Sequence, residues 1–391
     1  MNRLKHIALN LLLVCFGIAA ALGILELGVR IIGLYNPPSA DFVEPHPELG
    51  WSHVPDKTGY WQVGEKRIPI RINSKGLRDN EYSYQKQDGV FRILVLGDSF
   101  TEAFQVLLND TFCKVLERRL NETDRKFEII NAGLGGVGTD YALLFLKREG
   151  FKYDPDLLLV AFFPNDIIEN YKSRRVLDDT RAQSSLYYGK KDLMTTIKQF
   201  LADHSHAFNY FGAVVINRLP WVKDLLVEIG LIGAVPVEGG HRGIHLHYLV
   251  LQSEYSSELK RAWSVTEVLF RRLAEKARSQ NSKLAVVSIP FREQVYESLW
   301  EAELRRPEMQ RRHWDLDKPG EMLSAVLNKM DVPVLRLLPE FKSRSSNQAL
   351  YYGINGQIAD GHWTAAGHHL AAELIYQWLI AENLVPVNSK Q

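Results

Sequence analysis

The stretch "FRILVLGDSFTEAF", residues 91 to 104, sets a continuous apolar run against Gly97, Asp98 and Ser99 and then passes into a helical pattern. An apolar run without alternation reads as a strand buried on both faces, as in a parallel sheet. A serine at the point where such a strand turns into a helix gains two things. The helix N-terminus offers unpaired backbone N–H groups and partial positive charge, and the sharp turn presents Oγ outward. An ordinary turn or helix cap uses the same residues, so the rest of the chain decides between the two.

Working outward, four further runs have the same character: "FEIINAG" (127–133), "DLLLVAFFPND" (156–166), "KLAVVSIPF" (283–291) and "VPVLRLLPEF" (332–341). Helical spacing separates them, as in "TFCKVLERRL" and "DYALLFLKREG". The alternation predicts an α/β fold: a flavodoxin-like three-layer α/β/α sandwich around a central parallel five-stranded sheet. Ligands of such sheets bind beyond the carboxyl ends of the strands. Ser99, the "GLGGVG" loop (133–138) and Asn165 each follow directly on a run, so the fold brings them to one rim.

Composition narrows the function classes. Of 391 residues 46% are apolar and 24% charged, and Lys plus Arg, at 47, nearly cancels Asp plus Glu, at 46. No basic stretch of the nucleic-acid kind stands out, and no nucleic-acid partner is expected. Cys15 and Cys113 are the only cysteines, too few for a disulfide framework and not in a metal-ligand cluster, so neither a structural disulfide nor a zinc site is expected.

The N-terminus "MNRLKHIALNLLLVCFGIAAALGILELGVRIIGLY" (1–35) has Arg3 and Lys5 ahead of an apolar run from about Ile7 to Leu25. Its length suits a spanning helix, and the positive flank predicts a cytoplasmic N-terminus with the remainder outside. Apolar residues continue through Ile31 and Ile32, which favours a retained inner-membrane anchor over a cleaved signal peptide. Residues 36–90 read as a Pro-rich linker and a small β-rich appendage, and 91–391 as the main domain. Between Asn165 and "KLAVVSIPF" the chain far exceeds one connecting helix. The surplus, 169–257, is an insertion that starts at the rim, either a lid over the pocket or a peripheral element. Within it "HRGIHLHY", with His241, His245 and His247, lacks an accompanying carboxylate and reads as loop or strand rather than metal site. Trp51 and Trp61 read as packing of the β unit, with sugar stacking the alternative.

Three further places carry chemistry. In "NAGLGGVGTD" (131–140) the glycines let backbone N–H groups approach a ligand closely. It lacks the Gly-Lys-Ser/Thr ending of a phosphate loop. In "FFPNDIIEN", Asn165 can donate its side-chain amide to a negatively charged oxygen, with Asp166 left to a cap or structural hydrogen bond. In "IADGHWTAAGHHLAAELIYQWL", Asp360 and His362 sit two residues apart, ahead of an Ala-rich helix. They can supply the base that takes a serine proton and the acid that orients that base. His368 and His369 fall inside the helical pattern and rank below His362.

In this order, "GDS", the glycine loop after Asn131, "ND" after a strand and an Asp/His pair near the C-terminus resemble the SGNH (GDSL-type) hydrolase superfamily. The resemblance spans about residues 91–170 and 355–385. It implies that Ser99 is the nucleophile and that Asp360 and His362 are the other catalytic residues. The oxyanion hole would consist of the Ser99 and Gly136 backbone N–H groups, with Gly133 or Gly135 as alternatives to Gly136, and the Asn165 side chain. It also implies ester hydrolysis without metal or cofactor. The expected substrate is an acylated, above all acetylated, small molecule, lipid or polysaccharide outside the cytoplasm. The Asp-x-His-Trp spacing also resembles SGNH-like polysaccharide O-acetyltransferases, which makes acetyl transfer within a polysaccharide export system, with its partner proteins, one alternative. A non-catalytic glycan-binding protein is another. Pro164 stands where the family usually has Gly, and Phe100 where it usually has Leu. The upstream "INSKGLRD" resembles a segment found ahead of the nucleophile in membrane-anchored members.

Overall fold

The structure is a computed structural model that describes residues 2–33, 42–173, 201, 205–208, 210–212, 246–354 and 361–387. Residues 1–39 with 188–240 form one compact unit, and 40–187 with 241–391 another.

In the first unit, helix α1 (Asn2–Ile32) contains a stretch, Leu12–Ile32, of mean hydropathy 2.4 and only 6% burial. It is long and apolar enough to cross a membrane, as an anchor or as a signal sequence. This window lies further along than the run from Ile7 to Leu25, because apolar residues continue to Ile32 past Glu26 and Arg30. The Glu26 carboxylate accepts hydrogen bonds from Ser205 Oγ at 2.7 Å and from the His206 and Ala207 backbone N–H groups at 2.9 Å. It thereby caps a short helical segment that begins at His206.

The second unit holds the sheet. Strands β5 (Val90–Gly97), β6 (Lys126–Gly133), β7 (Leu157–Phe162), β8 (Lys283–Ser288) and β9 (Val334–Arg336) are all parallel and ordered β6-β5-β7-β8-β9. That is the doubly wound order, with the topological reversal at β5. Because side chains alternate across a strand, the continuous runs divide between two cores. Leu94, Leu96, Ile130, Leu158, Val160 and Val286 pack on one face with α4 (Thr139–Arg148) and α6 (Ser257–Ser279). Ile93, Val95, Ile129, Leu157, Leu159 and Val287 pack on the other with α3 (Phe112–Leu120) and the C-terminal helix (Ala365–Ala381). Both faces are covered, which is why the strands show no polar alternation.

Ahead of the sheet lie two antiparallel pairs, β1 (Val43–His46) with β2 (Gly50–His53) and β3 (Thr58–Val63) with β4 (Lys66–Arg71). Phe42, Val63, Ile68, Ile70 and Ile72 enclose Phe104 in a third core, so this β unit packs on the segment just beyond Ser99. Trp61 lies 5.4 Å from the Phe104 ring, and Trp51 packs against the main core. Of "HRGIHLHY", read from sequence as loop or strand, the described end winds instead into a 3-10 helix, Leu246–Leu251. Its Tyr248 and Leu251 fall on one side at the three-residue spacing of that helix and are buried in the main core. His241 and His245 lie outside the described residues.

Candidate active site

Ser99 opens α2 (Ser99–Glu102), a single turn directly after β5. The side chain of Asp98 caps that turn by accepting the Phe100 N–H at 3.0 Å. Such a cap fixes the strand-to-helix corner from which Oγ projects. Gly97 pairs with Gly133 on β6 and with Ala161 on β7, so Ser99, Gly136 and Asn165 stand beyond the ends of three neighbouring strands.

His362 reaches the same place from the far end of the chain. An antiparallel bridge joins Tyr351 to Trp363, and Tyr352 N–H donates to the His362 carbonyl at 2.9 Å. Trp363 is buried among Phe100, Phe112, Phe341 and His368, which anchors the residue next to the imidazole. Gly367 permits this approach, because a β-carbon there would overlap the Leu350 carbonyl. The result is His362 Nε2 at 2.7 Å from Ser99 Oγ, a hydrogen bond across 263 positions. Asp360, expected to orient the imidazole, lies outside the described residues.

The glycines of "GLGGVG" divide by surroundings. A β-carbon on Gly133 would overlap the Glu102 nitrogen and Thr101, and one on Gly135 would meet Glu102 Oε2 at 2.7 Å. Both are needed where β6 leads the chain across the back of the serine turn. Gly136 differs: its φ of +74° is left-handed, and a β-carbon there would meet no atom within 4 Å. The Asn165 carbonyl accepts the N–H groups of Ile168 and Glu169 at the start of α5 (Asp166–Ser173). Among the described residues its side chain makes no hydrogen bond, although Oδ1 is buried. Asp166 accepts the Thr139 hydroxyl at 3.2 Å.

Electrostatics distinguish the buried acids. Burial pushes the Asp98 carboxyl up to about 6, against the pull of its bond from Phe100 and of nearby His362. Burial, and then the neighbouring Asp98, hold Asp166 well above the usual carboxylate range. Burial holds His368 well below the usual imidazole value, and its Nδ1 accepts the Phe112 N–H at 3.3 Å. It is a neutral structural histidine, whereas His369 is exposed and lies 3.4 Å from Asp110. Sequence reasoning did not single out Phe100 as a site residue. Its ring touches both Phe163 (4.6 Å between centroids) and His362 (4.9 Å). Its position beside "GDS" was the available signal.

A serine hydroxyl bonded to an imidazole, on the carboxyl rim of a doubly wound sheet, is the arrangement of a serine-dependent hydrolase. The family model described as GDSL-like lipase/acylhydrolase matches residues 93–375. The chain belongs to that family and is an esterase. An arylesterase of Vibrio mimicus is 24% identical over 154 residues, 34% of this chain and 77% of that protein. Among solved structures, TesA aligns at 13% identity and a TM-score of 0.39, covering 74% of this chain and 97% of the other. The acetylxylan esterase Axe2 of Geobacillus stearothermophilus aligns at 11% identity and a TM-score of 0.40, covering 77% and 97%.

Proposed function

We propose that Ser99 and His362 carry out two-step acyl transfer from an ester to water. The single observation behind this reading is the 2.7 Å contact between Oγ and Nε2 at the end of β5. Ser99 Oγ attacks the ester carbonyl while its proton passes to His362 Nε2. The oxyanion accepts hydrogen bonds from the backbone N–H groups of Ser99 and Gly136 and from the Asn165 amide. When the intermediate collapses, the alcohol leaves with the proton from His362. Water then attacks the acyl-serine, His362 takes its proton and returns one to Oγ, and the carboxylic acid departs. In this scheme Asp360 orients the imidazole through Nδ1.

The substrate we assign is a short-chain, above all acetyl, ester of an extracytoplasmic carbohydrate or lipid. The apolar helix preceded by Arg3 and Lys5 supports that compartment. The arylesterase relative supports a small ester. The test is hydrolysis of p-nitrophenyl acetate and of acetylated glycan by the detergent-solubilised full chain, followed by mass spectrometry of Ser99. An acetyl adduct on Ser99 and release of acetate are expected. Turnover by Ser99→Ala equal to wild type would remove the assignment. Acetylation of an added glycan faster than acetate release would point to acetyl transfer instead.

A further inference from the structure

The turn that carries Ser99 has too few residues to hold itself. A helix of four residues lies below the length at which helices persist, and the residue closing it, Ala103, is left-handed at φ 59° without being glycine. Asp98 fixes the N-terminal end. What fixes the other end comes from upstream of the family-matched region. The Arg78 guanidinium, 1% exposed, donates from one nitrogen to the Glu102 and Ala103 carbonyls and from the other to the Val106 carbonyl. Its planar fork thus holds three carbonyls of the turn and the segment after it, including that of the strained residue. A lysine ammonium lacks that fork.

A second clamp lies beside the first. His53, 3% exposed, has Nδ1 at 3.2 Å from the Gly76 carbonyl and Nε2 at 2.7 Å from Glu102 Oε1. The other oxygen of Glu102 lies under Gly135, so the same carboxylate touches the upstream β unit and the glycine loop. Next to Arg78, Asp79 accepts the Asn131 N–H at 2.7 Å, and the Asn131 side chain donates to the Thr101 carbonyl at 2.7 Å. Phe104 fills the space between the clamps, with His53 stacked at 5.7 Å and Arg78 at 5.4 Å.

We propose that Arg78, together with the His53–Glu102 pair, positions the nucleophile: the upstream β unit is a working part of the active site, setting the height of Ser99 Oγ against His362 and the glycine loop. The inference rests on Ser99 as nucleophile. Displacing the far end of a one-turn helix tilts its first residue, and small misplacements of a reacting atom are costly in rate. Ground-state binding depends on the rest of the pocket and is spared.

The test compares Arg78→Met, Arg78→Lys and Glu102→Gln with wild type on p-nitrophenyl acetate, far below each variant's melting temperature. Rates are taken per folded molecule, with the folded fraction read from near-ultraviolet circular dichroism. We expect kcat to fall about ten- to a hundredfold in Arg78→Met with KM within about twofold, and Arg78→Lys to recover only part. The rate of fluorophosphonate labelling at Ser99 should fall in parallel. If Arg78→Met does not fold, Arg78→Lys and Glu102→Gln decide. Wild-type kcat in folded variants whose only change is a lower melting temperature overturns the proposal. That outcome with Ser99→Ala still inactive leaves the nucleophile assignment standing; an active Ser99→Ala removes both.

Discussion

Asp98→Asn is expected to make the protein more stable and less active. The Asp98 carboxyl titrates at about 6 in the folded protein against 3.8 ordinarily, chiefly because it is buried. The folded state therefore holds this proton more tightly than the unfolded chain does. Stability from this group is fully present below pH 3.8, is lost as pH rises towards 6, and stays lost above it. The gap corresponds to about 3 kcal/mol of penalty on the ionised form. Asparagine keeps the oxygen that accepts the Phe100 N–H and cannot ionise, so it removes most of that penalty. Urea unfolding in detergent should show the variant about 2–3 kcal/mol more stable at pH 7.5. Near pH 3, where the wild-type carboxyl is largely neutral in both states, the difference should nearly vanish. The same carboxylate attracts the His362 imidazolium formed during attack, so kcat should fall about tenfold, about 1.4 kcal/mol. A variant no more stable than wild type at pH 7.5, or a difference independent of pH, would refute the reasoning.

Ser99→Ala and His362→Ala are each expected to abolish ester turnover and, for Ser99→Ala, fluorophosphonate labelling, with circular dichroism unchanged. Asn165→Ala should lower kcat about 10²–10³-fold if its unbonded amide receives the oxyanion; wild-type kcat would assign it to structure alone. Gly133→Ala forces a β-carbon onto the Thr101–Glu102 backbone, so both the melting temperature and activity should drop, whereas Gly136→Ala, in open space, should lose only about 1–2 kcal/mol to its positive φ. Lys114→Met strips the buried Asp79 of a partner at 2.7 Å and should cost about 3–5 kcal/mol in urea unfolding.

Much of the scaffold was legible before any coordinates. Five uninterrupted apolar runs separated by helical spacing imply a sheet covered on both faces, because only strands without a solvent side can dispense with alternation. The strand ends then brought Ser99, the glycine loop and Asn165 to one rim. Periodicity could not supply the winding of Leu246–Leu251, since a short apolar run fits several conformations.

What tertiary structure alone decided concerns approach through space. Which glycine packs against the serine turn, and which faces open space, depends on how closely β6 passes Thr101 and Glu102. Buried His53 reads as an ordinary polar residue of a β-rich appendage, and Arg78 is marked only by the resemblance of "INSKGLRD", yet their partners lie 23 to 49 positions away. Spacing patterns report local geometry, which neighbouring residues impose on one another. Hydrogen bonds across such distances exist only once two cores have closed around them, and a linear pattern carries no trace of that closure.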